Sequence, residues 1–255
     1  MSFAITRHSQ KKYTLFPQIP PCFLSSNSKQ MYTSLVIEGG GSKNIASIGA
    51  LDYLHNHTLL NNIVNYAGTS SGAILCILLV MNYTPKEIKD VVFNGTLNKY
   101  IKNNFFMNAY NLFNKYGLNN PNKVIKLMGK LFTNKGFSKN ITFKELYHKT
   151  HKTLVITGTN ISKQKIVYFN YLSHPDVPVL AALRITMNIP IFFTRIKHNG
   201  DYYVDGFLLM NFPLYYFDHP DGHLCNDSTE LTDYFPTPTP NNKTLGIFTL
   251  DPDER

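Results

Sequence analysis

Ser70 is the residue around which chemistry can be built. It sits in Gly68-Thr69-Ser70-Ser71-Gly72, a G-x-S-x-G run between the short apolar stretch Val64–Ala67 and the unbroken apolar run Ala73–Met81. That order predicts a buried strand, a tight turn and a buried helix. A serine hydroxyl becomes a useful nucleophile only when it is held in the open and near a base. A sharp strand-to-helix turn lifts it clear of the sheet, and the small residues Gly68 and Gly72 let the backbone make the bend. The helix that follows aims its free N–H groups and the positive end of its dipole at the reaction centre, where they can stabilise an oxyanion. An ordinary Gly/Ser loop shares this composition. The flanking strand and apolar helix separate the nucleophile reading from that plain one.

A second turn of the same build lies upstream. Leu35–Ile37 reads as a buried strand and leads into Glu38-Gly39-Gly40-Gly41-Ser42-Lys43-Asn44. Then Ile45, Ile48, Leu51 and Leu54 recur at helical spacing. The free N–H groups of Gly39, Gly40, Gly41, Ser42 and Lys43 form an anion cradle. Two ligands compete for it. A dinucleotide phosphate would want a glycine where Asn44 stands and an acidic residue on a second strand about 20 residues on, which the sequence does not offer. The oxyanion of an acyl ester suits a Gly-rich turn that precedes the serine. A turn made only of flexible residues is the third reading.

The elements that must carry these turns follow in order. Thr84–Phe93 reads as a helix capped by Thr84 with Pro85 at its first position. Residues 94–140 form a Lys/Asn-rich, aromatic insertion with helical pieces expected near Tyr110–Tyr116 and Pro121–Leu131. Lys beside exposed aromatics fits a lid or a membrane-touching surface, and the competing reading is a helical insertion with its rings inside. Thr142–Tyr147 predicts a capped helix, Leu154–Gly158 and Ile166–Phe169 predict strands, and Val177–Met187 predicts a helix starting near Pro178. Tyr202–Val204 is a short strand delivering Asp205-Gly206, and Leu245–Leu250 is a last strand. Alternating strands and helices predict an α/β fold with a mainly parallel sheet.

The 255 residues and a 43% hydrophobic content suit one large domain. The N-terminus has no apolar signal-peptide core, and no apolar run approaches the roughly 20 residues of a membrane span. The expectation is an intracellular protein, cytoplasmic or peripheral to a membrane. Cys22, Cys76 and Cys225 are scattered, which argues against a disulfide framework, and Cys76 inside the apolar helix reads as a core residue. No His/Cys/Asp cluster has metal-ligand spacing, so neither metal nor cofactor is expected, and nothing resembles a nucleic-acid-binding motif. The net charge of +9 is uneven. Lys86–Lys152 holds thirteen Lys against three acids, whereas Asp201–Arg255 holds ten acids against two bases. The basic middle can face anionic lipid or simply be a solvated surface. Residues 1–32 carry Arg7, Lys11, Lys12 and Lys29 with no acid, and read as an extended or disordered arm ahead of a domain over 33–255.

Taken together, the two turns and the Asp205-Gly206 pair resemble the patatin-like phospholipase family over roughly Ser34–Pro213. Gly39–Lys43 resembles its oxyanion loop and Gly68–Gly72 its nucleophile elbow. Ala182-Leu183-Arg184 through Ile189-Pro190, then Tyr202–Gly206 and Asn211-Phe212-Pro213, resemble its second catalytic block. The resemblance implies a three-layer α/β/α fold, with Ser70 as nucleophile and Asp205 as its base in a dyad. It also implies cleavage of ester-linked fatty acids from phospholipids or related lipids through an acyl-enzyme. The partners are then an acyl-lipid substrate and a membrane surface met from outside, an anionic one if the basic middle faces it. Asn44 and Phe207 depart from the family pattern. Asn tolerates a left-handed backbone better than most residues, and the ring of Phe207 stands where it could narrow the acyl pocket. Two rivals remain open: a lipid-binding protein with a weak or silent site, and a Ser-Asp-His triad that recruits His219 or His223.

Overall fold

The computed structural model describes residues 2–7, 31–93, 121–189, 195–218 and 242–250. Short apolar runs bounded by Gly and Asn turns form strands, and longer runs with apolar residues at helical spacing form helices. The strands are β1 (Ser2–Arg7), β2 (Ser34–Ile37), β3 (Asn65–Gly68), β4 (Thr153–Asn160), β5 (Lys165–Phe169), β6 (Ile196–His198), β7 (Asp201–Asp205) and β8 (Thr244–Leu250). The helices are α1 (Ile45–Asn56), α2 (Ser71–Val80), α3 (Pro85–Phe93), α4 (Pro121–Asn134), α5 (Phe143–Thr150) and α6 (Val179–Thr186).

One sheet runs in the order β1-β8-β2-β3-β4-β7-β6, with β5 also paired to β4. Its centre, β8-β2-β3-β4, is parallel, as expected for strands joined by returning helices. Its flanks are antiparallel: β1 on β8 at one side, and β7 and β5 on β4 at the other. The strand β6, which the sequence reading did not separate out, is the first arm of a hairpin with β7, turned through Asn199 and Gly200, both at positive φ. The start of the N-terminal arm is a strand paired into the sheet: Ser2–Arg7 lies along β8 over six residue pairs.

The α/β fold expected from the sequence is the fold observed: a mixed sheet, parallel at its centre and flanked by helices. One face of the sheet contributes Leu35, Ile37, Tyr66 and Ile156 to a core shared with all six helices, where Phe132, Phe143 and Phe169 are the largest wholly buried side chains. The other face carries Val36, Ala67, Val155 and Tyr168, covered by Tyr216 and by the partly buried Met210, Phe212, Leu214 and Phe217. The expected helix caps are present. Thr142 and Glu145 form a reciprocal capping box on α5, and Thr84 and Glu87 exchange the same bonds on α3. The helix expected near Tyr110–Tyr116 lies outside the described residues.

In α2, buried except for the partly exposed Ser71 and Ile74, Cys76 is the small core residue expected. Its thiol donates to the Ala67 carbonyl at 3.2 Å, and burial pushes the thiol pKa up. Lysines hold the C-terminal end of α2. Lys152 Nζ donates to Leu79 O and to Asn82 Oδ1, and Lys135 Nζ donates to Asn82 O and pairs with Glu87 at 2.8 Å. Both cations sit where the helix dipole is negative.

Candidate active site

The strand β3 ends at Gly68 and α2 begins at Ser71, so Thr69 and Ser70 alone make the connection. Ser70 adopts φ 52° and ψ −122°, a conformation that an L-residue holds only when its surroundings impose it. Three restraints do so. The Ser70 N–H donates to Thr186 Oγ1 at 2.9 Å. The Thr69 carbonyl accepts from the N–H groups of Gly72 and Ala73. The third restraint is a chain of hydroxyls: Thr69 Oγ1 lies 2.7 Å from Thr157 Oγ1 and donates to the Met210 carbonyl at 3.0 Å. Each hydroxyl has one proton, so Thr157 donates to Thr69 and Thr69 to Met210. Gly72 is required because a Cβ there would collide with the Ile37 carbonyl.

Asp205 ends β7, and β4 brings it to Ser70. Gly68 pairs with Ile156 of β4 from one side, and Asp205 pairs with Gly158 of β4 from the other. The Asp205 N–H donates to the Asn188 carbonyl at 2.9 Å, and the Asp205 carbonyl accepts from Thr159 Oγ1 at 3.0 Å, so its backbone is fixed on both sides. The side chain is fully buried. Its Oδ1 accepts the Phe207 N–H at 2.9 Å. Its Oδ2 has no closed hydrogen bond among the described residues, although the Ser70 side chain is near enough to favour the ionised carboxyl. Burial dominates, and it pushes the Asp205 pKa up to about 7 against the opposing pulls of the Phe207 N–H and Ser70. An open, weakly acidic carboxyl oxygen beside a serine hydroxyl is the arrangement a proton acceptor needs.

The Gly-rich loop packs against the elbow. Gly41 has φ 55°, and the chain then forms a short 3-10 turn over Gly41–Asn44. The Gly39 N–H donates to Asn211 O at 3.1 Å, the Gly40 N–H to Ser71 Oγ at 3.2 Å, and the Lys43 N–H to Gly40 O at 3.0 Å. Of the five N–H groups singled out in the sequence, those of Gly41 and Ser42 have no acceptor among the described residues, and neither does that of Ser71 at the head of α2.

Asn44 differs from its expected part. Its backbone is right-handed, φ −67° and ψ −4°; Gly41 takes the left-handed position instead. The Asn44 side chain is buried and acts as a bracket. Its Nδ2 donates to Glu38 O and to Ser71 Oγ, both at 2.7 Å, and its Oδ1 accepts from Ser47 Oγ at 3.0 Å. Asn211 clamps the same loop through Glu38 Oε1 and Gly39 O. The ring of Phe207 lies at the surface, 46% exposed. His219 and His223 lie outside the described residues.

The family model for the patatin-like phospholipases matches residues 35–218. The chain belongs to the patatin-like phospholipase family. It is 37% identical over 188 residues to the "Probable lipid hydrolase 463L" of Invertebrate iridescent virus 6, a match covering 72% of this chain and 62% of the relative. It is also 29% identical over 176 residues to triacylglycerol lipase 5 of Saccharomyces cerevisiae, covering 63% of this chain but 22% of that protein. The chain therefore spans less than two thirds of these relatives. Among solved structures, VipD from Legionella pneumophila shares the fold, with TM-score 0.51 at 16% identity over 85% of this chain and 49% of that one.

Within this patatin-like frame, sequence reasoning missed Thr157, and it placed Thr186, Asn188 and Asn211 inside the second catalytic block without finding that they hold the machinery in place. The signal for Thr186 was its place in a helix of otherwise apolar residues around Arg184, a polar group that must find a partner. Thr157 and Asn188 carried no such signal, because their partners come from strands and turns distant in the chain.

Proposed function

We propose that the protein is a lipid acyl hydrolase of phospholipase A type, cleaving ester-linked fatty acids through Ser70 and Asp205. The observation that carries this reading is the buried Asp205 carboxyl, raised to about 7 and open at Oδ2, beside a serine in a forced elbow conformation. Asp205 accepts the Ser70 proton as Ser70 Oγ attacks the ester carbonyl. The oxyanion lies against the N–H groups of Gly41, Ser42 and Ser71, at the positive end of α2. The alcohol leaves as it takes the proton back from Asp205, and an acyl-enzyme remains. Water then attacks the acyl group with Asp205 again as base, and the fatty acid departs. A base near pH 7 needs no imidazole to work at neutral pH, which favours the dyad over a triad with His219 or His223. The substrate is presented at a membrane surface; among the described residues no helix is long and apolar enough to cross one.

The test is fatty-acid release from mixed phospholipid vesicles in the presence of a metal chelator, with labelling by a fluorophosphonate run alongside. Wild type should release acid and take the label; Ser70→Ala should do neither, and Asp205→Asn should lose release. A folded wild type that binds vesicles, takes no label and releases nothing refutes the proposal in favour of a silent lipid-binding site.

A further inference from the structure

Six large apolar side chains stand exposed among the described residues: Met31, Tyr53, Val64, Leu172, Phe207 and Leu208. The topology sorts them. Met31 precedes β2 and Val64 precedes β3, at the N-terminal end of the parallel strands. Tyr53 lies in the last turn of α1, which has returned to that end. Leu172 follows β5, which runs antiparallel to β4 and pairs Phe169 with Ile156 on its way there. Phe207 and Leu208 alone stand at the other end, where β3 delivers Ser70 and β7 delivers Asp205.

The chain holds these two side chains out. The Phe207 N–H is pinned to Asp205 Oδ1, and the Gly206 carbonyl accepts the N–H groups of both Leu209 and Met210. The backbone thus turns back on itself, and Met210 and Phe212 tuck against the second core. Phe207 and Leu208 are left at the apex, 46% and 49% exposed. An aromatic ring beside a leucine on a rigid turn is the chemistry that partitions into the boundary between lipid headgroups and acyl chains.

We propose that Phe207 and Leu208 form a lipid-contact tip that enters the surface of the substrate aggregate and sets Ser70 against it. The occupant is an acyl-lipid surface, because the acyl ester that must reach Ser70 resides in one; this rests on the lipid-hydrolase reading. The contact is apolar. The lysines of the basic middle stretch that can be followed to their partners, Lys135 and Lys152, hold the far end of α2, away from the tip. Phe207 and Leu208 carry no charge, so the contact the tip makes should form on neutral bilayers and withstand salt. The tip is also joined to the base, since the same turn supplies the N–H that Asp205 Oδ1 accepts.

The chain contains no tryptophan, so Phe207→Trp introduces a single reporter, with Leu208→Trp as its substitute if the first is unstable. On titration of the full chain with phosphatidylcholine vesicles at high salt, the emission should shift to the blue and be quenched by lipids brominated along their acyl chains. Leu172→Trp, at the opposite end, should show neither effect. The double variant Phe207→Ser/Leu208→Ser, shown folded by its melting curve, should lose about tenfold or more in vesicle partitioning by sedimentation. An unshifted reporter on vesicle-bound protein, equal partitioning of the double variant, binding confined to anionic vesicles and lost with salt, or no vesicle binding by wild type would each overturn the tip. The two readings fail separately. A shifted reporter without fatty-acid release removes the hydrolase and keeps the tip, whereas hydrolysis of a short soluble ester without vesicle binding removes the tip and keeps the hydrolase.

Discussion

Replacing Asp205 by asparagine should make the protein more stable and inactive, with the gain in stability depending on pH. The Asp205 pKa rises from 3.8 to about 7 on folding, mainly through burial. In the folded state the carboxyl keeps its proton through the pH range in which the unfolded chain has lost it. Stability therefore falls as pH rises from about 4 to about 7, and above 7 the cost of holding a buried charge is fully present. About three pKa units at 1.36 kcal/mol each correspond to about 4 kcal/mol. Asparagine has the same shape, its amide oxygen can keep the bond from the Phe207 N–H, and it carries no charge. Asp205→Asn should then match wild type in stability near pH 4 and exceed it by about 2–4 kcal/mol at pH 9, a rise in Tm of roughly 5–15 °C for a chain of this size. Urea unfolding of both proteins at the two pH values is the assay. Equal differences at both pH values would show that the carboxyl is not held uncharged by burial, and the case for Asp205 as a base tuned to neutrality would fall with it.

Other predictions concern the same machinery. The pH profile of kcat/KM should rise through a limb near 7 as Asp205 loses its proton, and a limb near 4 would contradict the raised pKa. Thr186→Val removes the acceptor of the Ser70 N–H; it should cost about 1–3 kcal/mol of stability and lower kcat about ten- to hundredfold with KM little changed, while Thr186→Ser should restore both. Ser70→Gly should be more stable than Ser70→Ala by about 1 kcal/mol in thermal melts, because glycine alone adopts φ 52° without strain. His219→Ala and His223→Ala should keep fatty-acid release within about twofold of wild type, and loss of activity in either would restore the triad.

Much of this architecture was legible in the sequence because it is written locally. Both Gly-rich turns sit between an apolar strand and an apolar helix, and their residues lie next to one another along the chain. Thr142 with Glu145, and Pro85 behind Thr84, are cap signals that act within a single turn of helix. What escaped the sequence is long-range. β6 is three residues of Ile, Lys and His, too short for any period to register. The direction of β5 and β7 relative to β4 follows from how their connections fold back, which composition does not record. At Asn44, where the family has glycine, the sequence speaks only to the tolerance of asparagine for a left-handed backbone; its side-chain bracket depends on Glu38 and Ser71 being beside it. The division of the Gly-rich loop into engaged and open N–H groups likewise depends on Asn211 and Ser71, one of them far along the chain.

The strand β4 contributes neither nucleophile nor base, yet it spaces them. One edge of β4 meets β3 at Ile156 and the other meets β7 at Gly158, and Thr157 between them starts the hydroxyl chain that holds Thr69. The separation of Ser70 from Asp205 is therefore a matter of two residues on a third strand, although 135 positions divide them in the chain. The length of chain between α2 and β4 does not enter that separation, although α3, α4 and α5 within it fill the core beneath the sheet. Such an arrangement makes the spacing of the two side chains a property of sheet register, so a slip of β4 by one residue against either neighbour would change it where a longer connection would not.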